Sequence, residues 1–396
     1  MTYFARYLVR SPASAWFLLL GWSLLGSQET VAQIAQAPVE VRVPQAPQPV
    51  TGSDGLVHVA YELHITNYYQ STGTLHLQQL AVFVDGQPGA LASFRGPQVN
   101  QLLAHPVTGA DSAAVVLGPG QRQVLYLWLT LPPGHPPGLH HQLVFATAGG
   151  QQLVDGVPVT FNRTVPVVLG APLRAGPWLV YAGPGNPHAH HWNGVVVING
   201  QTTIPQRYAI DFYGLTPAGR ALRRPVALDQ LSTTTHADWV GFGADVLAVA
   251  DGLVRDARDG EPNHAPLAPL PTLTDLTERL LMGNFVVLEV APGVFAHYAH
   301  LQPGSLTVKV GDRVRRGTVL GHLGQSGQAP FPHLHFQVSN AVTFEESEGL
   351  PFEFRAFTRT GAASLADVLG KLALALPAPQ PCRQVLPLDG DVVTFQ

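Results

Sequence analysis

Short runs of alternating apolar and polar residues dominate this chain. The clearest are Val57-His58-Val59-Ala60-Tyr61-Glu62-Leu63-His64-Ile65 and Val124-Leu125-Tyr126-Leu127-Trp128-Leu129. Successive side chains of a strand point to opposite faces, so this pattern predicts strands with one buried face. Turn clusters such as Asp85-Gly86-Gln87-Pro88 and Gly118-Pro119-Gly120 separate the runs. The spacing predicts an immunoglobulin-like antiparallel β-sandwich over residues 54–165, which holds no catalytic set and reads as a positioning module. Residues 33–53, rich in Pro, Gln and Val, read as a linker. Residues 166–360 form a second strand-rich unit, with one short helix at 274–282 inside a loop insertion. In residues 361–396, Leu365, Leu369, Leu372 and Leu374 predict a helix over 362–376, and Asp391-Val392-Val393-Thr394-Phe395 predicts a last strand.

Residues 1–32 read as a secretory signal. Arg6 and Arg10 precede an apolar run at 13–25, and small residues follow near Thr30-Val31-Ala32. The run is shorter than the roughly 20 residues of a membrane span. The protein is therefore expected to be secreted, periplasmic or held in the cell envelope; an uncleaved signal would instead leave an N-terminal membrane anchor. Composition agrees with a mainly β fold: 12% of residues are charged, with 40 Gly and 35 Pro. A net charge of −4 argues against nucleic acid or an anionic surface as partner. The single cysteine, Cys382, excludes an intrachain disulfide, and no lipobox cysteine is present.

The chemistry concentrates in four segments. In Pro332-His333-Leu334-His335-Phe336, His333 and His335 lie two apart at the start of a predicted strand and project to one side. Neutral imidazole is a good zinc ligand and a good general base. Tyr208-Ala209-Ile210-Asp211-Phe212 places a carboxylate among apolar residues, where Asp is rare unless paired or metal-bound. In His297-Tyr298-Ala299-His300-Leu301 the two histidines face opposite ways on a strand, so only one enters the site. Val310-Gly311-Asp312-Arg313-Val314, followed by Gly317, Gly321, Gly324 and Gly327, reads as a hairpin leading into the His-x-His strand. That hairpin resembles those of biotinyl and lipoyl carrier domains, but no lysine stands at its tip.

Taken in order with Gly243-Ala244-Asp245-Val246-Leu247-Ala248-Val249-Ala250-Asp251-Gly252 and Gly283-Asn284-Phe285-Val286-Val287-Leu288, these motifs resemble the M23 family of zinc metallopeptidases, the lysostaphin-like or LytM-type endopeptidases. The resemblance covers about residues 180–340. It implies an antiparallel, duplicated-hybrid-motif-like β domain with one zinc ion per chain, acting on stem peptides or cross-bridges of peptidoglycan. It implies Asp211 and His335 as zinc ligands, His333 as general base, and His300 as the group that orients the attacking water or stabilises the oxyanion. Two imidazoles and one carboxylate leave zinc with a formal charge of +1, still a Lewis acid.

One position departs from the family. Its usual first ligand is a His four residues before the Asp, and here Arg207 stands there. A guanidinium stays protonated and cannot ligate zinc. The upstream segment Asn186-Pro187-His188-Ala189-His190-His191-Trp192 offers replacements, in the order His191, His190, His188, with 193–206 as an inserted hairpin. Arg207 itself is expected to pair with Asp211 or to bind a substrate carboxylate. Two readings follow: a secreted zinc endopeptidase, or a catalytically silent M23-like module that binds cell wall or activates another hydrolase.

Overall fold

Both faces of the strand Val57–Thr66 are buried, which alternation alone does not require. The computed structural model, which describes residues 35–109, 113–134, 136–270, 278–370 and 374–396, shows the reason. Val59, Tyr61, Leu63 and Ile65 enter an apolar cluster with Leu75, Leu77, Leu125, Leu127, Leu143 and Phe145. Two antiparallel-rich sheets contribute to it. One runs Ala35–Gln36, Gly150–Thr160, Gly138–Thr147, Leu75–Val84, Ala90–Arg95, with Val115–Leu117 also paired to Leu75–Val84. In the other, Val57–Thr66 pairs with Glu40–Arg42, Val50–Thr51 and Arg122–Thr130. On the opposite face of this second sheet, Ala60 and Tyr126 join a larger cluster with Trp192, Tyr208, Ile210 and Phe212. The face that alternation would leave to water is thus covered by the second half of the chain, and residues 35–396 form one compact unit.

Two expectations change. Residues 35–53 are not a free linker, because they supply the strands Ala35–Gln36, Glu40–Arg42 and Val50–Thr51. Val39, Val41 and Val43 pack at alternate positions on the first cluster. The helix expected over 362–376 shrinks to Leu365–Gly370, followed by a strand Leu374–Cys382. Pro377, Pro379 and Pro381 cannot continue a helix, and they are tolerated because this strand is the edge of its sheet. Of the helix expected at 274–282, Glu278–Leu281 is helical and 274–277 lie outside the described residues. The expected signal at 1–32 also lies outside them. Among the described residues, no helix is long and apolar enough to cross a membrane.

The second half is built on a ten-stranded sheet in which every neighbouring pair is antiparallel. Its order is Arg313–Val314, Gly252–Arg258, Phe285–Ala291, Val294–Ala299, Leu334–Ser339, Ile210–Gly214, Trp178–Tyr181, Asp391–Phe395, Phe357–Ala362, Leu374–Cys382. The C-terminal segment is therefore no appendage: Asp391–Phe395 lies inside the sheet, between Trp178–Tyr181 and Phe357–Ala362. Beneath the central strands, Phe354 meets the rings of Phe212, Phe336, Phe352 and Phe395 at centroid distances of 6.3, 5.9, 5.3 and 5.3 Å. Phe354 is fully buried. Phe354→Ala is expected to cost about 3–5 kcal/mol, read as a fall in the midpoint of denaturant unfolding.

Candidate metal centre

Asp211 and His335 are brought together by strand register. Ile210–Gly214 lies antiparallel to Leu334–Ser339, with Asp211 directly opposite His335 and Phe212 opposite Leu334. Ile210, Phe212, Leu334 and Phe336 point into the core, so Asp211, His333 and His335 share the other face. His300 follows the neighbouring strand Val294–Ala299, also paired to Leu334–Ser339. Its backbone is left-handed (φ 63°), unusual for a non-glycine residue. It is held there by its own N–H on Met282 O (2.9 Å) and by Gly324 N–H on its carbonyl (3.0 Å). His297 stands on the same sheet face as His335 but farther along the strand, opposite Gln337, where its Nε2 meets Ser339 Oγ at 2.8 Å; the left-handed backbone of His300, not the three-residue spacing, turns His300 toward the centre. His190 and His191 lie between the strand Trp178–Tyr181 and the hairpin Val196–Ile198/Gln201–Thr203, which is the expected insertion.

The imidazoles gather around one carboxylate. Asp211 Oδ1 lies 3.0 Å from His335 Nδ1, 3.3 Å from His333 Nε2 and 3.4 Å from His191 Nε2. His190 Nε2 is 3.8 Å from Oδ2. The far nitrogens are already committed. His191 Nδ1–H donates to Ala182 O (2.9 Å), His333 Nδ1–H to Phe331 O (2.8 Å) and His300 Nδ1–H to Ser326 O (2.8 Å). His335 Nε2–H donates to Gln337 Oε1 (2.9 Å), and Gln337 Nε2 donates in turn to Pro205 O (3.4 Å). Such outer partners fix each ring's tautomer and aim its other nitrogen. With those tautomers the inward nitrogens present lone pairs to a carboxylate, an arrangement that a bound cation or a further proton relieves.

His191 Nε2 shows the strain most directly: it is fully buried and has no hydrogen-bond partner among the described residues. The His191 and His335 nitrogens stand about as far from Asp211 Oδ1 as neighbouring ligands of a tetrahedral zinc ion do. Zinc bonds of about 2.0–2.1 Å put neighbouring ligand atoms about 3.3 Å apart, against the observed 3.0 and 3.4 Å. A second grouping, His190, His191 and Asp211, brings one ligand atom from each within 4.8 Å of one another. We favour the set with His335, because its ring is locked by Gln337, whereas the His190 side chain is 63% exposed and reaches only the outer carboxylate oxygen. His188 is exposed and lies away from the cluster, in the loop turn at Asn186.

Electrostatics agree with a cation site. Burial favours the neutral acid at Asp211, but the adjacent His333 and His191 outweigh it and hold the carboxyl well below its usual range. Burial also works against protonation of His333, yet the Asp211 carboxylate raises its pKa. Burial lowers His335 despite Asp211. His300 is driven well below the usual value by burial and then by His333 and His335.

Arg207 does not enter the site. It is buried behind it, with its guanidinium bound to Glu62 and Glu348 rather than to Asp211. Burial disfavours its charge, and those two carboxylates more than restore it. The expected role in binding substrate is therefore corrected: no donor of Arg207 faces the groove. The groove itself is a cleft of about 370 Å³ that includes Tyr181, Tyr213, Gln206, Met282 and Phe331 beside the histidines. Tyr213 stacks on His333 (centroids 5.0 Å, planes 20° apart). Its place was readable, since it stands two residues after Asp211 on one strand. Tyr181 faces Asp211 only through cross-strand pairing, which sequence spacing does not reveal.

Residues 238–346 match the model of peptidase family M23. The chain carries a peptidase family M23 domain. The matched stretch includes His300, His333 and His335 but begins after His191 and Asp211. Over 100 residues the chain is 33% identical to the glycyl-glycine endopeptidase ALE-1 of Staphylococcus capitis, covering 25% of this chain and 22% of that relative. It thus spans about a fifth of the length of the curated relative it matches. Similar solved structures include the catalytic domain of lysostaphin from Staphylococcus simulans (20% identity, 46% of this chain and 88% of that one, TM-score 0.22). Another is the catalytic domain of the prophage-encoded M23 protein EnpA of Enterococcus faecalis (17% identity, 45% and 92%, TM-score 0.25).

Two outcomes are expected at this M23 centre. Among single alanine variants of His188, His190 and His191, only His191→Ala should lose bound zinc, measured as metal per mole after gel filtration. The second concerns acid stability of chelator-treated protein. Because the His300 pKa is lowered in the folded state, the unfolded chain binds the proton that the folded one refuses. Stability is then lost as pH falls below about 6.5, and His300→Gln should flatten that fall in melting temperature between pH 7 and 5.

Proposed function

We propose that this chain is an exported zinc endopeptidase that hydrolyses peptide cross-links of peptidoglycan. The observation that carries the reading is the buried, unpartnered His191 Nε2 facing Asp211, with His335 Nδ1 on the same carboxylate oxygen. His191, Asp211 and His335 would hold the ion. Zinc there would supply a Lewis acid that activates water and polarises the scissile carbonyl.

The remaining residues move and steer protons. His333 has its Nδ1–H tied to Phe331 O and Tyr213 stacked on its ring, so Nε2 is fixed toward the groove. It takes the proton of the attacking water and delivers it to the leaving amine. His300 has its Nδ1–H on Ser326 O, and burial keeps the ring neutral. Its Nε2 can then only accept a hydrogen bond, which favours orienting water over donating to an oxyanion. The M23 domain and the similarity to a glycyl-glycine endopeptidase support a peptide of the wall as substrate. Export rests on the N-terminal pattern at residues 1–32.

The silent-module reading needed a missing first ligand at Arg207. On the present proposal His191 supplies that ligand from another segment.

The test is zinc content together with release of amino groups from purified peptidoglycan and from a pentaglycine peptide. About one zinc per chain and metal-dependent cleavage are expected. His335→Ala should lose zinc and activity together. His333→Ala should keep zinc and lose turnover by about 10²-fold or more. Full zinc in His335→Ala, or zinc lost equally in both variants, contradicts this division of roles.

A further inference from the structure

The loop that carries His191 is fastened to the N-terminal module by its very next residue. The Trp192 indole N–H donates to Glu62 Oε1 at 2.6 Å. Both residues are 2% exposed. Glu62 lies mid-strand in Val57–Thr66, on the face turned toward the M23 domain, directly across from Tyr126 on Arg122–Thr130. Tyr126 and Trp128 meet the Trp192 ring edge-on at 5.9 and 6.2 Å. Three side chains of the N-terminal module therefore enclose the residue that follows His191.

The same Glu62 oxygen also accepts from Arg207 Nη1. Arg207 lies four residues before Asp211 and is bound on its other side by Glu348 Oε1 at 2.6 and 2.8 Å. Glu348 Oε2 in turn accepts from Ile204 N–H, at the exit of the inserted hairpin (3.0 Å). One buried carboxylate thus holds the two segments that carry His191 and Asp211, and the carboxylate belongs to neither.

We propose that Glu62 is a positioning residue of the metal centre, so that the N-terminal module is a structural part of that centre and not only a spacer. The proposal rests on His191 as a zinc ligand. Where a His four residues before the Asp would hold its own place on the same strand, His191 stands in a loop and takes its placement from Trp192 and Glu62. Arg207, in the turn that leads into the strand Ile210–Gly214, closes the clamp from the Asp211 side. Burial makes the clamp stiff: a charged acceptor shared by an indole and a guanidinium, away from water, has no alternative partners to drift to.

The test uses the full chain. Trp192→Phe removes one N–H and keeps an aromatic ring and the Arg207–Glu62 pair. Glu62→Gln removes the charge. Zinc affinity is measured by competition with a chromophoric chelator, and the visible absorption of the Co(II)-loaded protein reports ligand geometry. Both variants are expected to bind zinc about 10–100-fold more weakly, with an altered Co(II) spectrum. Trp192→Phe should do so with a far-UV spectrum and metal-free melting temperature close to the parent's, which separates positioning from unfolding. Parent affinity and parent Co(II) spectrum in Trp192→Phe overturn the proposal, whatever Glu62→Gln does to stability. Failure of the ligand reading shows separately: His191→Ala then keeps the parent's zinc affinity, and the proposal falls with it.

Discussion

One buried carboxylate with imidazole lone pairs turned toward it is the constraint on which this molecule is organised. Asp211 is ionised, enclosed, and meets His191, His333 and His335 within 3.4 Å. A charge so placed is costly unless its field is used. Each ring has its outer N–H spent on a carbonyl or on the Gln337 amide, so no ring can satisfy the carboxylate without taking up a further proton. The protein groups alone leave that charge unbalanced, and their chemistry suits a bound cation.

The rest of the fold serves that convergence. Asp211 and His335 come from adjacent strands, His300 from the next strand over and His191 from a loop beside the strand on the other flank. A continuous antiparallel sheet fixes Asp211 and His335 through register, since slipping one strand by a residue would turn its side chains to the wrong face, and backbone bonds to Met282 and Gly324 fix His300 just past its strand. The phenylalanine cluster beneath resists such a slip, because Phe212 and Phe336 anchor the two central strands from the core side. His191 has no register to rely on, and the N-terminal module occupies the place where that support is needed.

Much of the site was legible because it obeys local rules. The two-residue period set His333 beside His335 and would equally have set Tyr213 beside Asp211. The three-residue spacing parted His300 from His297 on the wrong ground: register puts His297 on the face of His335, and the left-handed backbone that turns His300 to the centre is not readable from spacing. The guanidinium chemistry of Arg207 excluded it as a ligand before any fold was known. What stayed hidden depends on contacts distant in the chain. Glu62 sits in a strand whose alternation reads as one wet face, and only docking against the M23 domain makes that face dry. Arg207 was ambiguous because its partners, Glu62 and Glu348, are 145 and 141 residues away. The strands within 35–53 escaped notice because Pro and Gln mask the valines at 39, 41 and 43. The helix expected at 362–376 weighed leucine spacing above the prolines that follow.

The strand Asp391–Phe395 is inserted beside Trp178–Tyr181, one strand away from Asp211. Its partner on that side was made more than two hundred residues earlier, so this pairing is among the longest-range in the fold. A chain still emerging from its ribosome has every histidine of the centre before it has this strand. Until residues 391–395 arrive, the sheet that carries Asp211 has an open flank and the Phe354 cluster lacks Phe395. A chain cut short before residue 391 would hold all of the site's side chains without the strand that closes this flank of their sheet.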